Sequence, residues 1–216
     1  MSFSGTAGLG GLGFVVIAVV LNVLYTRGRL PLPTSGQSVD EVADVMSGMG
    51  RSLKRPSVLA PASWLFLTLF AAGLLSELWQ RDGGARAWAL TGFAGVLVQN
   101  AVFTVVEALR FGTASAAAHN RGSVPGLWAT TRVLFGFNQV FLAAALIGFT
   151  AAGTAAGLMQ PWHAGVGYVS AALLFLSASA SPYGADGTHR LAPAGLIGWL
   201  GWATWLVTWS VVLLGL

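Results

Sequence analysis

The sequence predicts an all-α fold: a polytopic transmembrane helical bundle of about six spans, with one short amphipathic helix on its surface. Three observations predict it. Of 216 residues, 55% are hydrophobic and only 8% are charged, where a soluble domain carries roughly a quarter charged. Six apolar stretches reach the roughly 20 residues that a helix needs to cross the hydrocarbon core. The basic residues gather in the gaps between them. No stretch reads as a separate soluble unit, so residues 1–216 make a single transmembrane domain.

The spans are expected at roughly 9–26, 57–79, 87–110, 127–151, 161–181 and 193–215. No basic residue precedes the first, whereas Arg27 and Arg29 follow it. That order suits a retained span with its N-terminus outside rather than a cleaved signal peptide. Gly8, Gly10, Gly11 and Gly13 give this span small faces on which another helix can approach closely, and Gly195, Gly198 and Gly201 do the same for the last.

The long first loop has a pattern of its own. Ser38 stands three residues before Glu41, which is a capping box. Val39, Val42, Met46, Met49 and Leu53 then recur at helical spacing, and Lys54 and Arg55 close the segment. An amphipathic helix over 38–54, lying on the inner leaflet, accounts for this. Asp40 and Asp44 form an Asp-x-x-x-Asp pair of the kind that holds magnesium on a diphosphate. No second acidic motif exists to complete such a site, so the pair reads as a solvated face and no metal is expected. In the second span Glu77 precedes Arg81 by four residues, the spacing of an interfacial ion pair.

The third and fourth spans carry the informative polar residues. Gln99 and Asn100 lie near the middle of one, Asn138 and Gln139 near the middle of the other. Glu107 follows Asn100, and Arg132 precedes Gln139, by about two helical turns. In antiparallel neighbours Asn100 would face Gln139 and Glu107 would face Arg132. This polar ladder reads as helix–helix glue or as a chamber open to the inner leaflet, because an ionisable group inside a membrane is a functional candidate by default. The last span adds Trp199, Trp202, Trp205 and Trp209. An interfacial belt does not account for the deep pair, Trp202 and Trp205. With Phe103, Phe135, Phe137, Phe141 and Phe175 they could line an aromatic cavity.

Charge sets the expected orientation. Arg27, Arg29, Arg51, Lys54, Arg55, Arg110, Arg121 and Arg190 fall on one side, Arg81 and Arg86 on the other. The richer side is cytoplasmic by the positive-inside rule, which leaves both termini extracytoplasmic on a multi-pass protein of the inner (plasma) membrane. The net charge of +4 is spread over loops, so no nucleic acid is expected as partner. The absence of cysteine excludes thiolate chemistry. His119, His163 and His189 show no metal or haem spacing, no cofactor is expected, and homo-oligomers stay open.

From about Val124 onward the chain resembles the C-terminal half of uncharacterised six-helix membrane proteins of actinobacteria. The residues that carry the likeness are Leu127-Trp128, Gln160-Pro161-Trp162 ahead of Gly165 and Gly167, and the ending from Trp205 to Leu214. It implies a fold and no activity. In size, aromatic content and intramembrane carboxylates the chain is also similar to membrane-embedded terpene cyclases, without the Trp-Glu motif of the fungal ones. That likeness implies an enzyme that protonates an apolar isoprenoid-type substrate and guides its cyclisation. Glu107 or Glu77 would be the acid. Gln99, Asn100, Phe103, Arg132, Phe135, Asn138, Gln139, Trp202 and Trp205 would bind substrate. A Glu107–Arg132 pair would hold Glu107 charged and make it a base instead. The other expectations are a small transporter or ligand-binding protein, and an accessory subunit within the membrane.

Overall fold

The computed structural model describes residues 2–81, 83–185 and 190–216; His189 lies outside the described residues. The helices are α1 (Phe3–Arg27), α2 (Val39–Ser47), α3 (Gly50–Ser57), α4 (Ala60–Trp79), α5 (Gly83–His119), α6 (Val124–Ala155), α7 (Pro161–Ser179) and α8 (Ala192–Leu214). Single 3-10 turns sit at Arg121–Ser123 and Ser181–Gly184. Among the described residues there is no strand.

Among the described residues, five helical stretches are long and apolar enough to cross a membrane: α1, α3–α4 from Ser52, α5, α6 and α8. The expected sixth span, α7, falls short of that apolarity because it opens on Pro161, Trp162 and His163. It nevertheless runs the depth of the bundle between α6 and α8. His163 is level with Trp205, and Ser177 abuts Gly195. His163 is buried in protein, so its polarity does not meet lipid.

The long helices pack antiparallel in chain order, and α8 returns to α1, closing a ring. Glycine makes several of these approaches possible. Gly8 lies on the Ser210 carbonyl of α8, where an added Cβ would stand 2.7 Å away, and Gly10 lies on the Phe66 carbonyl of α4 at 2.9 Å. Gly198 meets Leu174 and Ser170 of α7 in the same way. Because Gly8 reaches Leu214, both termini sit at one end of the bundle.

At 37 residues α5 is about 55 Å long, well beyond the ~30 Å hydrocarbon core. The loop to α6 therefore shrinks to the turn after His119. A second core forms on this projecting end. Val42, Ala43, Met46, Met49 and Leu53 pack there with Leu21, Tyr25, Ala117 and Trp128. The amphipathic segment expected to lie on lipid therefore lays its apolar face on protein. It also breaks at Gly48 into α2 and α3. Its capping box forms: Ser38 Oγ accepts from Glu41 N at 3.3 Å, and Glu41 Oε2 accepts from Ser38 N at 2.7 Å. Asp44 pairs with the Arg121 guanidinium at 2.8 Å.

Two helices end in the same hydrogen-bond pattern with different residues at the turn. After α6, Leu158 N donates to Gly153 O at 3.0 Å around Gly157, whose φ is 67°. After α1, Leu30 N donates to Tyr25 O at 2.9 Å around Arg29, whose φ is 57°. A left-handed backbone crowds the Cβ of any L-residue, at about 1–2 kcal/mol. We therefore expect Arg29→Gly to raise thermal stability in detergent by about 1 kcal/mol. A loss would show that the arginine side chain outweighs the strain.

Candidate functional site: a polar cavity and a buried carboxylate

The expected polar ladder separates into two places. Its charged half is a closed network at the end where α1 meets α3. Glu107 and Arg110 lie one turn apart on α5, and Arg110 Nη1 donates to Glu107 Oε2 at 2.7 Å. Glu107 Oε1 accepts from Ser57 Oγ at 2.6 Å and from Tyr25 Oη at 2.8 Å. The two hydroxyls are themselves 2.8 Å apart, so three oxygens from three helices form a triangle. The Arg110 guanidinium rests over the rings of Tyr25 and Phe103, at 5.2 and 5.9 Å. Glu107 and Arg110 are 5% and 7% exposed. At that burial, charge-assisted bonds count for more than they would in water.

Arg132 is thus not the partner of Glu107. Its Nη2 donates instead to the carbonyl of Ser35, in the segment after α1, at 3.2 Å. Nor does Asn100 face Gln139. Asn100 Nδ2 donates to Thr68 Oγ1 and to the Trp64 carbonyl on α4, at 3.0 and 3.2 Å, while Gln139 turns toward Gly195 of α8. The reason is rotation: each residue turns a helix by about 100°, so adjacent amides point to different neighbours. Gln99 and Asn138 take the faces along which α5 and α6 meet, a turn from the contact of Gly95 with Phe141. Each buries a carbonyl oxygen that finds no donor among the described residues.

Glu77 is remote from all of this. It accepts from Ser4 Oγ at 2.7 Å, tying α1 to α4 near the termini, in place of the expected pair with Arg81. Ser4 and Tyr25 are about 30 Å apart along α1, so Glu77 and Glu107 share no site. The deep tryptophans fill the core instead of lining a cavity. Trp202 packs edge-on against Phe14 at 5.2 Å, and Trp205 lies among Phe70, Phe149 and Trp209. His163 joins that cluster, its Nε2 3.0 Å from the Trp205 carbonyl. Phe137 and Phe175 face outward, at 40% and 56% exposure.

Three of the expected binding residues do converge. Arg132, Phe135 and Gln139, on successive turns of α6, line a cavity of about 30 Å3 with Ser177 and Ser181 of the α7 end. Pro33 and Thr34 cover it from the segment after α1. Phe135 leans on Phe103, 6.3 Å between ring centres, which carries the wall across to α5. The Gln139 Oε1, packed toward Gly195, is buried without a donor among the described residues. Because a water needs about 10–15 Å3, the space holds one or two small groups.

The chain matches no family model, no characterised protein and no solved structure. Sequence spacing offered one sign of the true charge pair, since Glu107 and Arg110 stand at i,i+3. Nothing local marked Tyr25, Ser57, Ser177 or Ser181, which come from three other places in the chain.

Proposed function

We propose that this integral membrane protein binds the polar end of a lipid-soluble small molecule in the cavity between α6 and α7. The observation that carries this reading is the polar lining of that cavity, where Gln139, whose carbonyl oxygen is buried without a donor among the described residues, stands with Arg132, Ser177 and Ser181. A buried acceptor left unpaired costs about 1–3 kcal/mol, and turning the Gln139 amide toward a hydroxyl or amide N–H of a ligand in the cavity would recover it. Two serines and a guanidinium beside it suit the oxygen of the same group. The cavity is too small for a whole isoprenoid, whose chain would lie outside in the bilayer.

A cyclase of the same substrate class gains less from the geometry. Glu107 is engaged by an arginine and two hydroxyls, and the tryptophan rings are packed on one another. The test covers both readings. Detergent-purified protein is heated with farnesol, geranylgeraniol or their diphosphates, and the mixtures are analysed by mass spectrometry. We expect an alcohol at a hundred times its dissociation constant to stabilise the protein by about 2.7 kcal/mol, and Gln139→Leu to abolish the shift. An equal shift in Gln139→Leu, or none in the parent, sinks the binding reading. A cyclised product would favour the cyclase.

The cavity shares its end of the bundle with the basic loops. We place that end in the cytoplasm of a cell whose plasma membrane holds the protein, with both termini outside, by the positive-inside rule. Alkaline phosphatase fused after Leu216 should then be active, and the same enzyme inserted at Asn120 inactive. The opposite pattern would invert the topology.

A further inference from the structure

We propose that residues 30–37 form a gate over the α6–α7 cavity, latched by Arg132. This rests on the reading of that cavity as the ligand site. Both ends of the segment are fixed. At its start Leu30 is buried, and its N–H bonds the Tyr25 carbonyl. At its end the Ser38 capping box begins α2, whose apolar face is sunk in the second core.

The stretch between is held differently. Pro31 and Pro33 have no N–H to give. Ser35 N bonds the Leu32 carbonyl at 2.8 Å, and Ser35 Oγ bonds Gln37 Oε1 at 2.9 Å. Both bonds stay within the segment and would travel with it. Among the described residues, its hydrogen bond to the helical bundle is the one from Arg132 Nη2 to the Ser35 carbonyl. The same Arg132 lines the cavity, and the neighbouring Pro33 and Thr34 form its cover. The other walls, among the described residues, are packed helices and the turn that ends α7. Ser181 is wedged against Gly136, and Ser177 against Gly195. Opening those walls would unpack the bundle, whereas lifting 32–36 uncovers the buried Pro33, breaks one hydrogen bond among the described residues and leaves both anchors in place. Gly36 gives the segment a flexible point just before α2.

The chain has no cysteine, which allows a direct test in detergent without any ligand. Ser177→Cys places a thiol on the cavity wall, and its modification by a water-soluble maleimide reports opening. We expect slow modification in the otherwise unchanged protein. It should quicken several-fold when Pro33→Gly loosens the segment, and again when Arg132→Lys shortens the latch. Met46→Cys, buried under α2, should keep its own slow rate in all three backgrounds. A Ser177→Cys rate that ignores both changes overturns the gate. A parallel rise at Met46→Cys overturns it too, because the whole end would then have loosened. Neither outcome depends on whether farnesol binds, so failure of the gate and failure of the binding reading are told apart.

Discussion

Glu107→Gln and Arg110→Met should each cost about 3–5 kcal/mol, and the double variant should recover much of that loss. Both groups are almost fully buried and joined at 2.7 Å. Removing either alone leaves a charge in a place that no longer solvates it. Arg110 would keep only its stacking on Tyr25 and Phe103, and Glu107 would keep only the hydroxyls of Tyr25 and Ser57. The readout is a double-mutant cycle of unfolding in detergent. The parallel cycle with Glu107→Gln and Arg132→Met should be additive to within about 0.5 kcal/mol, as for groups that share no partner. Coupling in that second cycle and additivity in the first would reverse the assignment of partners.

Gly148→Ala should lower stability by about 1–3 kcal/mol, and Gly148→Val by more. The two backbones touch where α5 crosses α6. A Cβ on Gly148 would collide with the backbone nitrogen of Gly92 and stand 2.7 Å from the Trp88 carbonyl, and a Cβ on Gly92 would enter the ring of Phe149. Backbone cannot rotate aside as a long side chain can, so the helices must separate. Gly112→Ala is the control. Nothing lies within 4 Å of its added Cβ, so relief of backbone entropy should stabilise the protein by about 0.5–1 kcal/mol. Thermal unfolding of the three variants should therefore give opposite signs for chemically similar changes. Equal effects at Gly148 and Gly112 would show that the crossing is looser than its geometry.

Local pattern settled what local forces decide. Apolar length placed α4, α6 and α8 to within four residues, since lipid demands a helix wherever the chain is long and apolar enough, whereas α1 starts six residues before its expected span and α5 ends nine residues after its own. The Ser38–Glu41 cap was legible because its hydrogen bonds close within four residues. The glycine runs of α1 and α8 were legible as close-packing faces because lack of bulk can be read without knowing the partner. Which partner came next was another matter. A rotation of about 100° per residue separates Gln99 from Asn100 and Asn138 from Gln139, and hydropathy does not fix the rotation of a helix that is apolar all round. Packing fixed it, through contacts such as Gly148 on Gly92 and Gly95 on Phe141. That choice sent Asn100 to α4, gave Glu107 to Arg110, Tyr25 and Ser57, and brought Gln139 to Ser177. The lie of α2 was decided the same way. Its apolar face was plain in the sequence, but only the length of α5 beyond the membrane put protein rather than lipid beneath it.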